Sequence, residues 1–126
     1  MSVETYAEEW SYGRLAGRFR SIDYADSMQG YGWDQFHVLR GVDGSLYVGW
    51  DGGCSCQGFS DTDPDDFVKV ASWQEAAAKA QEWAHDPDAW EERREQRLSA
   101  VMSMIERLTQ SRPSAHVDID LRTWAS

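Results

Sequence analysis

The chain has 126 residues, enough for one domain with a modest hydrophobic core. Asp and Glu outnumber Lys and Arg by 22 to 12. The formal net charge of -10 argues against direct nucleic-acid binding and suits a soluble protein or one with a basic partner. No apolar run reaches the roughly 18 to 20 residues of a membrane span, and the N-terminus lacks the features of a signal peptide, so we expect a cytoplasmic protein without membrane contact.

The first part of the chain predicts one short helix and one strand. Residues 2–12 place Tyr6 and Trp10 four positions apart, on one side of a helix. Residues 18–24 (RFRSIDY) alternate well enough to predict a first strand, and the loop 26–32 then leads to Trp33. A three-stranded antiparallel meander is the simplest arrangement that follows.

Two runs of β-branched and aromatic residues flank Asp43-Gly44, a dipeptide typical of two-residue type I′ hairpins. With that turn, Leu39 lies opposite Val48, and one face of the hairpin is the more apolar. We therefore predict that this face packs on the core; it holds Leu39, Leu46, Val48 and Trp50.

A glycine-rich loop with two cysteines, Gly52 to Gly58, follows the hairpin. Cys54 and Cys56 could be metal ligands, a redox pair or small side chains packed under the loop. A disulfide at this spacing would close a tight, strained ring that is easily reduced. His37 is the further candidate metal ligand, although a structural zinc site normally needs four N or S ligands.

The segment from Trp33 to Phe59 contains a Trp-Asp pair, the Asp-Gly turn, Tyr-Val-Gly and the loop Gly53-Cys54-Ser55-Cys56. In this it resembles small uncharacterised proteins of actinobacterial phages. The resemblance covers about a quarter of the chain. It implies a phage or prophage setting, in a bacterial host cell, and no particular mechanism.

Four aspartates crowd the next segment, SDTDPDD: Asp61, Asp63, Asp65 and Asp66. Their spacing superficially resembles a calcium loop but lacks the glycine and the terminal glutamate of an EF-hand. Calcium binding, a solvated acidic loop and contact with a basic partner are the three alternatives, and we predict these four residues as partner-binding. Residues 67–70 then predict a short strand or an extended connector.

Two helices are predicted over residues 72–110. Ser72 and Glu75 form a capping box before an alanine-rich helix, and Asp86-Pro87 predicts the start of a second helix that reaches about residue 110. Residues 94–108 carry an apolar seam that could pack within the protein or join a second chain. Met102 and Met104 widen it, so we include both methionines in the predicted partner surface.

Residues 116–123 alternate apolar and polar side chains and predict a last strand, which could close the sheet or augment a partner's sheet. The prediction is a single α+β domain over residues 1–126. Residues 1–70 form mainly a β meander with the cysteine loop, and the small antiparallel sheet of three or four strands packs on two C-terminal helices.

The sequence contains no nucleophile elbow, phosphate-binding loop, metalloprotease motif or dinucleotide fingerprint. We therefore expect no enzymatic activity and no cofactor. The leading hypothesis is a small acidic accessory protein that binds a host or phage protein. The alternatives are a metal or redox module built on the two cysteines, and a structural homo-oligomer through the 94–108 seam.

Overall fold

The computed structural model describes residues 10–28, 32–54 and 58–111. Most of the predicted helix 2–12, the whole predicted strand 116–123 and Cys56 lie outside these ranges. The described part of the chain is an α+β fold in which two helices follow the strands, as predicted.

Four strands form one antiparallel sheet in the order β1-β2-β3-β4, so each strand pairs with its neighbour in the chain. The strands are β1 (Phe19–Asp26), β2 (Gly32–Gly41), β3 (Leu46–Cys54) and β4 (Val68–Val70). The first two pairings extend over most of each strand, whereas β4 pairs with only three residues of β3. Of the two alternatives predicted for residues 67–70, the structure shows the short strand, at the edge of the sheet, and not the extended connector.

The predicted two-residue hairpin turn is wrong. The amide of Gly44 donates to the carbonyl oxygen of Gly41 (2.9 Å), and the amide of Gly41 donates to the carbonyl oxygen of Ser45 (3.0 Å). The loop between the strands therefore has three residues, 42–44. Gly44 has φ +82°, and every residue with positive φ in the described ranges is a glycine. Asp43 therefore keeps an ordinary negative φ, and its carboxylate accepts from the amide of Ser45 and the hydroxyl of Tyr47 (both 2.9 Å).

The longer loop shifts the register by one residue, so that Val38 and not Leu39 lies opposite Val48. This turns Leu39 to the face opposite Leu46 and Val48, because adjacent residues of a strand point to opposite faces. The predicted core face was therefore wrong at Leu39.

Both faces of the sheet are covered. On the helix face, side chains of the sheet pack against the two helices; the buried strand residues there are Ala25, Phe36, Val38, Leu46, Val48 and Val70. On the other face, which we call the loop face, they pack with the segments around Leu15 and Phe59. The resulting core therefore has two layers, one on each side of a small sheet.

Helix α1 (Trp73–Ala84) begins as predicted. The Ser72 hydroxyl accepts from the amide of Glu75 (3.1 Å), and the Glu75 carboxylate accepts from the amide of Ala71 (2.6 Å). The first bond satisfies a backbone donor that the helix start leaves without an intrahelical partner, and the second ties the residue before the cap to the first turn. The alanine stripe of α1 is buried against the sheet and α2.

Helix α2 (Glu91–Ser111) begins four residues later than predicted. The side chain and carbonyl of Asp86 accept from the amides of Asp88 (2.9 Å) and Ala89 (3.1 Å) and close a separate turn. Asp86 therefore caps this turn and not the helix. Neither of the two α-helices in the described ranges has the length and hydropathy that a membrane crossing requires.

Candidate functional site

The predicted acidic loop is an ordered part of the fold. Its first end is held on the loop face, where Phe59 is buried and the amide of Leu15 donates to the carbonyl oxygen of Ser60 (2.9 Å). At its second end Phe67 packs against the same cluster. Two short 3₁₀ turns, Phe59–Asp61 and Pro64–Asp66, follow one another within it. The loop therefore presents its carboxylates from a backbone that the core anchors.

Thr62 joins this loop to the end of β3. Its hydroxyl is buried and donates to the carboxylate of Asp51 (3.0 Å), which sequence reasoning did not include in the site. Asp51 therefore adjoins the loop that carries the four predicted aspartates. We call these five carboxylates the acidic surface: Asp51, Asp61, Asp63, Asp65 and Asp66.

One carboxylate of the acidic surface forms an ion pair within the protein. Asp63 accepts from the amide of Asp65 (3.0 Å) and forms an ion pair with Arg14 (3.6 Å), in which both side chains are about half exposed. Asp61, Asp65 and Asp66 are exposed. The acidic surface consequently keeps a strongly negative potential that a cationic partner could neutralise.

A shallow pocket of about 300 Å³ opens on the helix face next to Trp50. Trp50 stacks on Phe36 with ring centroids 5.8 Å apart, and its side chain is 42 % exposed. We call this site the aromatic pocket; it is lined by Trp50, Lys79, Glu82, Trp83, Asp86 and Pro87. Both carboxylates of the lining have a cationic partner: Lys79, also in the lining, pairs with Glu82 (3.4 Å), and Arg97, outside it, approaches Asp86 (3.8 Å). The pocket is therefore suited to an apolar side chain.

Sequence reasoning predicted Trp50 to be buried and thereby missed the aromatic pocket. The side chain lies on the predicted face, where its ring packs on Phe36 but remains 42 % exposed beside α1. An aromatic residue beside a glycine-rich loop was the available signal.

A larger groove of about 680 Å³ lies between β1 and α2. Arg93, which lines the groove, approaches the carboxylate of Asp34 (3.6 Å), and Arg97 makes two hydrogen bonds to the same group (2.8 and 2.9 Å). Burial would raise the pKa of Asp34, but the hydrogen bonds from Arg97 and Ser27 outweigh it, and the pKa lies below its usual value. Arg97 also donates to the carbonyl oxygen of Trp83 (2.9 Å), so this cluster ties α2 to the sheet and to α1.

His37 is buried on the loop face, between aromatic rings. Its ring stacks on Phe59 with centroids 3.7 Å apart and on Tyr24 at 4.8 Å. Its Nδ1 lies 2.7 Å from the Ser21 hydroxyl, and its Nε2 lies 2.8 Å from Oε1 of Gln35. Because that oxygen can only accept, Nε2 carries the proton and Nδ1 accepts from the hydroxyl. Burial lowers the pKa of His37 to about 3, so it is a weak base at neutral pH.

The candidate metal ligands are not brought together in the described residues. His37 lies opposite Gly49 and Cys54 lies opposite Gly32, five residues apart along both strands, which corresponds to about 17 Å. Cys54 is disulfide-bonded, and a disulfide sulfur is not a thiolate ligand. The described ranges contain no group of three His, Cys, Asp or Glu side chains that could hold a metal ion.

The two predicted methionines differ. Met104 is fully buried in the core with Val101 and Ile105, so its inclusion in a partner surface was wrong, whereas Met102 is only partly buried. The seam of residues 94–108 packs on the sheet and on α1 through the buried side chains of Val101, Ile105 and Leu108. The protein's own core therefore occupies most of the apolar seam that could have joined a second chain.

Comparison with known proteins identifies a domain family but no function. Residues 18–111 match the family model described as a domain of unknown function, DUF7574. No curated protein matches the chain, and no solved structure matches it.

Proposed function

Because the chain belongs to the DUF7574 family, a domain of unknown function, we propose its role from its own surface: it binds a basic segment of another protein through the acidic surface. The observation that carries the proposal is the grouping of five carboxylates on an anchored loop and the adjacent strand end, with an ion pair only at Asp63 among the described residues. The partner is a host or phage protein, and the phage setting rests on the resemblance of the hairpin and cysteine loop.

Charge is the physical basis of this proposal. A net charge of -10 draws cationic partners toward the protein and repels nucleic-acid phosphates. An anchored loop also loses less conformational entropy on binding than a free acidic tail would. The proposed role is therefore recognition and not catalysis.

The test compares capture of binding proteins from a nuclease-treated actinobacterial lysate by three forms of the tagged protein. In the surface variant, Asp61, Asp65 and Asp66 become Asn, while Asp63 is kept because it caps a turn and pairs with Arg14. The control variant changes three exposed carboxylates of α2 to Gln, and so removes the same charge; these are Glu92, Glu95 and Glu106.

We expect a stoichiometric partner that the wild-type protein and the control variant retain and the surface variant loses. Its affinity should fall by about tenfold or more in the surface variant, since each lost charge pair at an interface is worth on the order of 0.5 kcal/mol or more. Equal capture by all three forms would contradict the proposal.

A redox role for the cysteines is the second candidate, and the disulfide at Cys54 favours it. In such a role the disulfide would oxidise a partner dithiol to a disulfide and would itself be reduced to two thiols. Thiol titration of the protein in buffers of graded dithiol concentration tests this. A disulfide that stays oxidised at a cytosolic dithiol ratio would exclude it.

A further inference from the structure

The outer edge of β3 is only partly covered. β2 pairs with β3 from Leu46 to Cys54, whereas β4 pairs with β3 only from Leu46 to Val48. Beyond that point no described strand lies beside β3, and Trp50, Asp51 and Gly52 are exposed. An exposed strand edge is a template for pairing with another extended chain.

The backbone of this edge is oriented for such pairing. The amide of Gly41 donates to the carbonyl oxygen of Ser45 (3.0 Å), which makes these two residues a hydrogen-bonded pair. Hydrogen-bonded and non-hydrogen-bonded pairs alternate along an antiparallel ladder. Trp50 and Gly52 therefore turn their N–H and C=O groups away from β2, and the amide of Gly52 donates to the Asp51 carboxylate (2.8 Å) and not to a neighbouring strand.

The two sites described above lie on opposite sides of this edge. Trp50 opens the aromatic pocket on the helix face, and Asp51 belongs to the acidic surface on the loop face. Side chains of an added strand would alternate between these faces. One set would meet the indole of Trp50 and the other set would meet carboxylates.

We propose that the free edge of β3, residues 49–53, binds an extended segment of a partner protein by strand addition, and that this segment alternates apolar residues with Lys or Arg. The inference rests on the proposed function and names the class of segment bound. Main-chain hydrogen bonds to Trp50 and Gly52 hold the segment, the aromatic pocket takes apolar side chains, and the acidic surface pairs with the cations.

Charge selects this occupant over the two others available. Residues 116–123 of the same chain also alternate, but they would bring Asp118 and Asp120 against the acidic surface. A second copy of the protein would bring its own acidic surface and a further charge of -10. A segment with Lys or Arg at these positions instead gains from each contact.

Peptides of fixed composition test the proposal by calorimetry with the full chain. The parent is an acetylated and amidated octapeptide of four Val-Lys repeats, and its block isomer has four Val followed by four Lys. Two further peptides carry N-methyl groups on every second amide, either on all Val or on all Lys. We call these two peptides the methylated frames. Alternate residues of a strand direct their N–H groups to opposite edges, so only one of the two frames carries methyl groups on the edge that faces β3.

We expect the parent to bind about tenfold or more tightly than the block isomer, and the two methylated frames to differ by a similar factor, because hydrogen bonds form on one edge only. Gly52→Pro removes an outward N–H without changing the charge. This variant should bind the parent peptide about tenfold more weakly than the wild-type protein does. Strand addition is overturned if the two methylated peptides bind with equal affinity, or if the parent and its block isomer do. It is also overturned if no peptide binds.

The surface variant with Asn at residues 61, 65 and 66 separates this inference from the proposed function. If it weakens all Lys peptides while the two methylated frames stay equal, the acidic surface binds cations without strand addition. If it changes no affinity, the proposed function itself fails.

Discussion

Mild acid should already destabilise this protein, and His37 should be the cause. Burial lowers the pKa of His37 to about 3 in the folded chain, against 6.5 for the free side chain. Between these values the unfolded chain binds the proton and the folded chain does not, so stability falls as pH falls through this window. From pH 7 to about pH 4.5 the loss should be roughly 2 to 3 kcal/mol, since each pH unit below 6.5 costs about 1.4 kcal/mol.

Asp34 acts in a different pH window. The pKa of Asp34 lies below its usual value of 3.8, so its contribution to stability is fully present above that value and is lost only at lower pH. Urea denaturation followed by tryptophan fluorescence at pH 7, 5.5 and 4.5 therefore isolates His37.

His37→Gln should lose most of the pH dependence, and His85→Gln, which changes an exposed histidine, should keep the wild-type slope. The reasoning is refuted if the wild type loses less than about 0.5 kcal/mol over this range, or if His37→Gln loses as much as the wild type.

Two further changes test the packing of the fold by urea denaturation. Arg97→Met leaves Asp34 buried without its bidentate partner and should cost about 3 kcal/mol, whereas Lys79→Met in an exposed ion pair should change stability by less than about 1 kcal/mol. Gly49→Ala places a Cβ against the ring of the phenylalanine that precedes β4 and should cost about 1 to 3 kcal/mol, while Gly58→Ala meets no neighbour and should be close to neutral. An equal effect within either pair would contradict the contact assigned to it.

Local signals in the sequence predicted the elements whose partners are close in the chain. Ser72 and Glu75 determine the start of α1 because both hydrogen bonds of the cap form within one turn. The hairpin shows the limit of such signals. Asp-Gly suits both a two-residue and a three-residue loop, and the choice depends on whether Asp43 adopts positive φ. Its bonds to Ser45 and Tyr47 hold the second form, and a one-residue difference then moved Leu39 to the other face.

The candidate binding surfaces depend on a mismatch of strand lengths that no local pattern records. β3 has nine residues and β4 has three, because the chain leaves β3 for the acidic loop and returns to the sheet only at Val68. The loop thereby both supplies the carboxylates and leaves the edge of β3 uncovered. If β4 were long enough to pair with residues 49–53, Trp50 and Gly52 would have backbone partners, and the acidic surface would lie beside a closed edge. The free edge and the acidic surface therefore arise from the same connection, and a partner that recognises one of them necessarily approaches the other.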